Sequence, residues 1–189
     1  VMQRGKMYYA KLVKNRSMFV APRLVPYFNA LYGVPKAQEK EVLSADAQKV
    51  LKVLCKEWEM GTSDLREDAK IEDRKKLTKA IEELQQKMKV VPAEVLYVPK
   101  FTYIWTLAEG RFPKELAKKI SREDAVKELA RAFLKMQGLT LRGELAKTLS
   151  ISRKEAGRAN HQLVDEGFAD RLETGVYRYA ELRSPNLII

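Results

Sequence analysis

The chain carries one pattern twice, and a repeat of this length restricts its possible folds more than any single residue does. The segment "LSADAQKVLKVLCKEWEMG" opens with Ser44 as a helix cap. It then sets Val50, Leu51, Val53, Leu54 and Trp58 at helical spacing and reaches Gly61, the expected stop. The segment "ISREDAVKELARAFLKMQG" does the same from Ser121, through Val126, Leu129, Ala130, Phe133 and Met136, to Gly138. Each is followed by a short helical stretch with a Leu-Arg pair, "TSDLREDAKI" or "LTLRGELAKTL". A longer amphipathic helix then begins near Asp73 or Ser152.

The apolar stripes of these longer helices decide which side chains face water. In the first copy Leu77, Ile81, Leu84 and Met88 form the stripe, so Lys75, Lys79, Glu82 and Gln86 are expected outside. In the second, Ala156, Ala159, Leu163 and Val164 form it, which places Arg153, Lys154, Arg158 and His161 outside. Both copies continue into β-rich hairpins, "VVPAEVLYVPKFTYIWTLA" punctuated by Pro99 and Lys100, and "FADRLETGVYRYAEL" turning at Gly175. Trp58 and Trp105 sit inside apolar patterns and are expected in the core.

Three helices followed by a hairpin is the winged-helix arrangement. The expected fold is therefore α+β, mostly helical, with two winged helices in tandem: 44–109 and 121–183, joined by a linker at 110–120 and followed by a tail at 184–189. Pro113 is expected to start a short helix in the linker. Residues 1–43 form an apolar and basic block, "GKMYYAKLVKNRSMFVAPRLVPYFNALYG", expected to be helical. Met7, Tyr8, Lys11, Leu12 and Asn15 set the first helix there, with Tyr8 and Leu12 inward. Pro22 to Gly33 set the second, with Pro26 delaying its start.

Charge says what such a fold could meet. The net charge is +11 for a 21.7 kDa chain with pI near 9.6, which favours a polyanionic partner, nucleic acid ahead of a membrane surface. Residues 1–43 hold eight Lys or Arg against two Asp or Glu, 44–109 twelve against twelve, and 110–189 sixteen against eleven. The middle is balanced and the ends are cationic. Within the first copy, Asp73, Glu82 and Glu83 are expected to neutralise Arg74, Lys75 and Lys79 through pairs along the helix.

The same composition sets several chemistries aside. One cysteine, Cys55, and one histidine, His161, supply neither a disulfide nor a zinc cluster, so no metal or cofactor is expected. Neither a membrane span nor a secretory leader is apparent, and a cytoplasmic location is expected. "NRS" at Asn15 spells a glycosylation acceptor and is read as chance.

In a winged helix the outer face of the third helix enters the major groove and the hairpin lies along the backbone. Double-stranded DNA is thus the expected partner. The expected contacts are Arg153, Lys154, Arg158 and His161, with Arg158 near the groove floor, and Arg171 and Arg178 on the second hairpin. Lys75, Lys79 and Lys100 are added from the first copy, and Lys11, Lys14 and Arg16 from the front block. A transcription regulator and a protein-interaction scaffold are the competing classes.

The front block, the repeat and the junction from "FTYIWTLAEGRFP" to "ISREDA" together resemble the AlkZ-related, YcaQ-like winged-helix proteins, a superfamily that includes DNA glycosylases. The resemblance covers most of the chain and rests on aliphatic and aromatic patterns. It implies DNA repair. It also implies, for active members, a catalytic Gln-aliphatic-Gln or Gln-aliphatic-Asp triplet, which this sequence does not contain; "QLVD" at Gln162 is one residue too long. The expected function is therefore non-catalytic duplex binding. The alternative is a glycosylase whose catalytic segment lies ahead of Val1.

Overall fold

The computed structural model describes residues 6–182, so the proposed tail at 184–189 lies outside the described residues. The chain is a mixed, mainly helical protein with small antiparallel sheets, and its contacts divide it into two units that meet in sequence between Lys119 and Ile120.

The first unit opens with a hairpin, β1 (Tyr8–Lys11) and β2 (Ser17–Val20), where helix was expected. Tyr8 and Leu12 are buried as predicted, but on an alternating strand. The spacing of Tyr8, Lys11, Leu12 and Asn15 fits a helix, whereas the run Tyr8–Tyr9–Ala10 alternates just as well and pairs with Ser17–Val20. Lys14 and Asn15 at φ 51° and 57° turn the chain between the strands. Helix α1 (Val25–Tyr32) then starts late, with Pro26 in its first turn and Gly33 as its cap, as expected.

A short helix α2 (Glu39–Val42) leads to α3 (Ala45–Glu57), capped by the Ser44 hydroxyl accepting from the Ala47 N–H. Then come strand β3 (Glu59–Gly61), helices α4 (Thr62–Asp68) and α5 (Arg74–Gln86), and strands β4 (Val90–Leu96) and β5 (Thr102–Leu107). Two short helices, α6 (Ala108–Arg111) and α7 (Pro113–Leu116), close the unit, the second starting at Pro113 as expected. The core joins Val50, Leu54, Leu65, Leu77, Leu84 and Trp105.

Two details correct the sequence. Helix α3 ends at Glu57, before Gly61, because Trp58 adopts φ 60° and the chain enters β3. Trp58 is 71% exposed, whereas Trp105 is in the core, its indole N–H donating to Thr62 Oγ1 at 2.9 Å. Pro92 sits on β4, an edge of the β3-β5-β4 sheet, where its missing N–H breaks no inner ladder.

The second unit repeats the order: α8 (Arg122–Gln137), β6 (Leu139–Thr140), α9 (Glu144–Leu149), α10 (Arg153–Asp165), β7 (Ala169–Glu173) and β8 (Val176–Tyr179). Its sheet order, β6-β8-β7, matches strand for strand. Ser121 caps α8, and Gly138 at φ 76° ends it where the sequence said. Met136 is 75% exposed and not part of the stripe, which Leu134 joins instead. The short third strand of each sheet, β3 or β6, went unseen because two or three residues leave no alternation to detect.

Candidate nucleic-acid interface

Helix α10 owes its position to its two flanks. Ser152 and Glu155 form a capping box: the Ser152 hydroxyl accepts from the Glu155 N–H, and the Glu155 carboxylate accepts from the Ser152 N–H. Hydrogen bonds from Ser152, and then from Arg122, hold the Glu155 carboxyl down at about 2. Along the α8 flank the helix is stitched by ion pairs: Arg122 to Glu155 at 2.7 Å, Lys127 to Glu166 at 3.0 Å, and Arg131 to Glu166. The other flank, at Arg153, Gly157 and Asn160, has no such stitching among the described residues.

The predicted contacts of the second copy separate on this frame. Arg153, Lys154 and His161 are exposed, and Arg153 and Lys154 have no ion pair among the described residues. The edge of His161 meets the Tyr177 ring, centroids 5.9 Å apart, which ties the helix to the hairpin. Arg158 leans toward α8 and pairs loosely with Glu123 at 3.6 Å, both side chains about half exposed. So open a pair holds the guanidinium weakly. Arg178 is a different case. It is bonded to Asp170 at 2.9 Å and half-buried, so it serves the hairpin first, where the sequence expected a free wing cation. Arg171 is exposed and makes a long bond to Thr174.

In the first copy the expected pairs along α5 do not form. Glu82 turns to the front hairpin, accepting from Lys11 Nζ at 2.6 Å and Asn15 Nδ2 at 3.0 Å, and the Lys11 bond holds its carboxyl below the usual range. Glu83 accepts from the Ser44 N–H and hydroxyl. Arg74, Lys75, Lys76 and Lys79 are therefore left exposed with no ion pair among the described residues. A separation of four along the helix made pairing plausible, but the carboxylates found partners remote in sequence.

The front hairpin also changes the roles of its own cations. Lys11 is a clip, its N–H donating to the buried Gln85 at 3.0 Å while its ammonium holds Glu82. Lys14 and Arg16 are exposed beside it. The later half of the α5 outer face, at Glu82 and Gln86, is covered by this hairpin.

At the tip of the β4–β5 hairpin, Lys100 stands among exposed Tyr97, Val98 and Phe101, with Tyr97 and Phe101 edge to face at 5.8 Å. Sequence reading missed these aromatics because a strand pattern does not say where pairing stops. It also missed Arg142, exposed on the turn before α9, and the free cations Arg74 and Lys76.

Among the described residues no group of three His, Cys, Asp or Glu is placed to hold a metal ion, and no helix is long and apolar enough to cross a membrane. The described residues form a mainly helical protein of two like-built units, each with cations on its third helix that have no ion pair among those residues. A model of the AlkZ-related family matches residues 1–150, and the chain belongs to that family. Among solved structures, the Streptomyces sahachiroi DNA glycosylase AlkZ superposes on 94% of this chain with a TM-score of 0.66 at 11% identity. The chain spans about half of that protein, 53% of its length. No curated protein sequence matches the chain.

Proposed function

We propose that the protein binds double-stranded DNA through two tandem winged helices and serves DNA repair, without performing base excision itself. The unpaired cations on the third helices carry this proposal. Arg153 and Lys154 on α10, and Arg74, Lys75, Lys76 and Lys79 on α5, face solvent with no carboxylate to neutralise them among the described residues. Surface cations without partners are what phosphate contact requires. The shared order of three helices and a three-stranded sheet is the support for the winged-helix assignment.

Binding is tested by fluorescence anisotropy on a labelled duplex across a salt series. The logarithm of affinity is expected to fall linearly with the logarithm of salt, as counterions are released. A salt-independent affinity would end the proposal. Arg153→Glu with Arg158→Glu is expected to weaken binding more than Lys75→Glu with Lys79→Glu.

A second function, excision of a damaged base, draws support from the family and from the AlkZ match. Excision requires an extruded base and a group to orient water or stabilise the sugar cation. The cationic helices supply neither. Incubation with alkylated duplex is expected to release no free base, and release would transfer the protein to the glycosylases.

A further inference from the structure

On the unstitched flank of α10, a cleft of about 140 Å³ opens between the helix, the turn before α9 and the β7–β8 hairpin. That is several times the volume of a water molecule, roughly 30 Å³. Asn160 lies in its wall. The residue is 7% exposed, and its amide makes no hydrogen bond to any described residue. An amide offers two N–H donors and an accepting oxygen, and on the wall of this cleft they stand ready for a polar ligand.

Arg142 and Arg153 both line the same cleft, and neither has an ion pair among the described residues. Each is seated against a glycine. A Cβ on Gly175 would lie 3.1 Å from Arg142 Cγ, so the arginine stem rests where only glycine leaves room, and Gly175 at φ 83° is the hairpin turn. Arg153 Nε lies 3.8 Å from the point a Gly143 Cβ would occupy. Gly157 adds open space on the helix side, with nothing within 4 Å of its Cβ position. Carboxylates nearby are committed elsewhere: Glu144 accepts the Leu141 N–H at 2.9 Å, and Glu155 closes the capping box.

We infer that this cleft is a phosphate site: the Asn160 amide N–H group and the guanidinium groups of Arg142 and Arg153 receive the oxygens of a phosphate group. Guanidinium matches phosphate geometry, and an amide donor at depth fixes the orientation. That the phosphate belongs to a DNA strand rests on the duplex binding proposed above. The site would clamp one backbone phosphate between helix and hairpin, which sets the register of α10 without reading a base.

The full chain, labelled with nitrogen-15, is titrated with inorganic phosphate at constant ionic strength. The side-chain amide signals of Asn160, assigned by their loss in Asn160→Asp, are expected to shift and saturate; no saturating shift overturns the site. In the duplex arm, Arg142→Gln tests an exposed cleft residue that lies outside the duplex contacts proposed above. The expected result is an affinity loss of about tenfold and a salt slope shallower by ~0.9 for the phosphate lost. Wild-type affinity and slope in that variant would remove the DNA strand as the source of the phosphate while leaving duplex binding intact. Failure of the wild-type protein to bind duplex at all would end the proposed function, and the phosphate titration would still judge the cleft by itself.

Discussion

Helices α5 and α10 are both 13 residues long, occupy the same place in their units and present cations outward, yet they have different neighbours. On α5 the front hairpin covers the later half of the outer face through Lys11 and Asn15, leaving free the first turns with Arg74, Lys75, Lys76 and Lys79. On α10 the stitching runs along one flank to α8, and the outer face and the hairpin-side cleft stay open. The lesson is physical. A repeat keeps its buried stripe because the stripe makes the unit, whereas its outer face is set by whichever carboxylate or amide is nearest in space.

If the stripes are equivalent, matching core truncations should cost alike. Leu84 and Leu163 are both fully buried on the third helix of their units. Leu84→Ala and Leu163→Ala are each expected to cost about 2–5 kcal/mol in urea unfolding. A cost below about 1 kcal/mol at one site alone would break the equivalence of the copies.

The outer faces should not match. Arg153→Glu with Lys154→Glu on α10 is expected to weaken duplex binding by about 30-fold at low salt, and Lys75→Glu with Lys79→Glu on α5 by about tenfold. The difference follows from the covered half of α5. Anisotropy titrations in which the α5 pair costs more would make the first unit the principal contact.

Much of the fold was readable because helix signals are local. Ser44 and Ser121 cap the helices the sequence assigned to them, Asp73 and Ser152 cap the helices expected to begin near them, and Gly138 and Gly175 take the positive φ that an end or a turn requires. The front block was misread because a strand of four residues and a helix of two turns share the same few apolar positions there. The candidate interface was only partly readable. Lys11, Arg158 and Arg178 have the right charge, but their partners Glu82, Glu123 and Asp170 come from another element or the facing strand, which one helix's periodicity cannot reveal. Asn160 was invisible for the same reason, since a single amide on a helix edge declares nothing until the hairpin stands beside it.

The covering of α5 can be probed at its buried bond. Gln85 is a buried polar side chain whose Oε1 accepts the Lys11 N–H. Gln85→Leu is expected to cost about 1–3 kcal/mol, because the Lys11 N–H loses its acceptor. The same variant should loosen the hairpin over Glu82 and raise hydrogen exchange at Tyr9 to Lys11. Unchanged exchange there would mean that strand pairing and the Lys11–Glu82 bridge hold the hairpin without Gln85.

The smallest expected effect separates the two helix starts. Asp73 caps α5 with one bond to the Lys75 N–H, whereas Ser152 and Glu155 close a reciprocal box on α10. Hydrogen bonds from Ser152 and Arg122 depress the Glu155 pKa to about 2 in the fold from an ordinary 4.5. A carboxyl depressed on folding stabilises the protein fully above its unfolded pKa, and that contribution is lost as pH falls from about 4.5 through about 2. Because the side chain is a third exposed, solvent screens the ion pair, and the whole box is expected to contribute about 1 kcal/mol. Glu155→Gln should therefore lower stability near neutral pH and flatten this part of the acid limb of urea midpoint against pH. It keeps a side-chain acceptor for the Ser152 N–H but discards the charge. If the acid limb keeps its full slope in Glu155→Gln, other carboxylates such as Glu166, whose pKa is lowered by Arg131 and Lys127, dominate it.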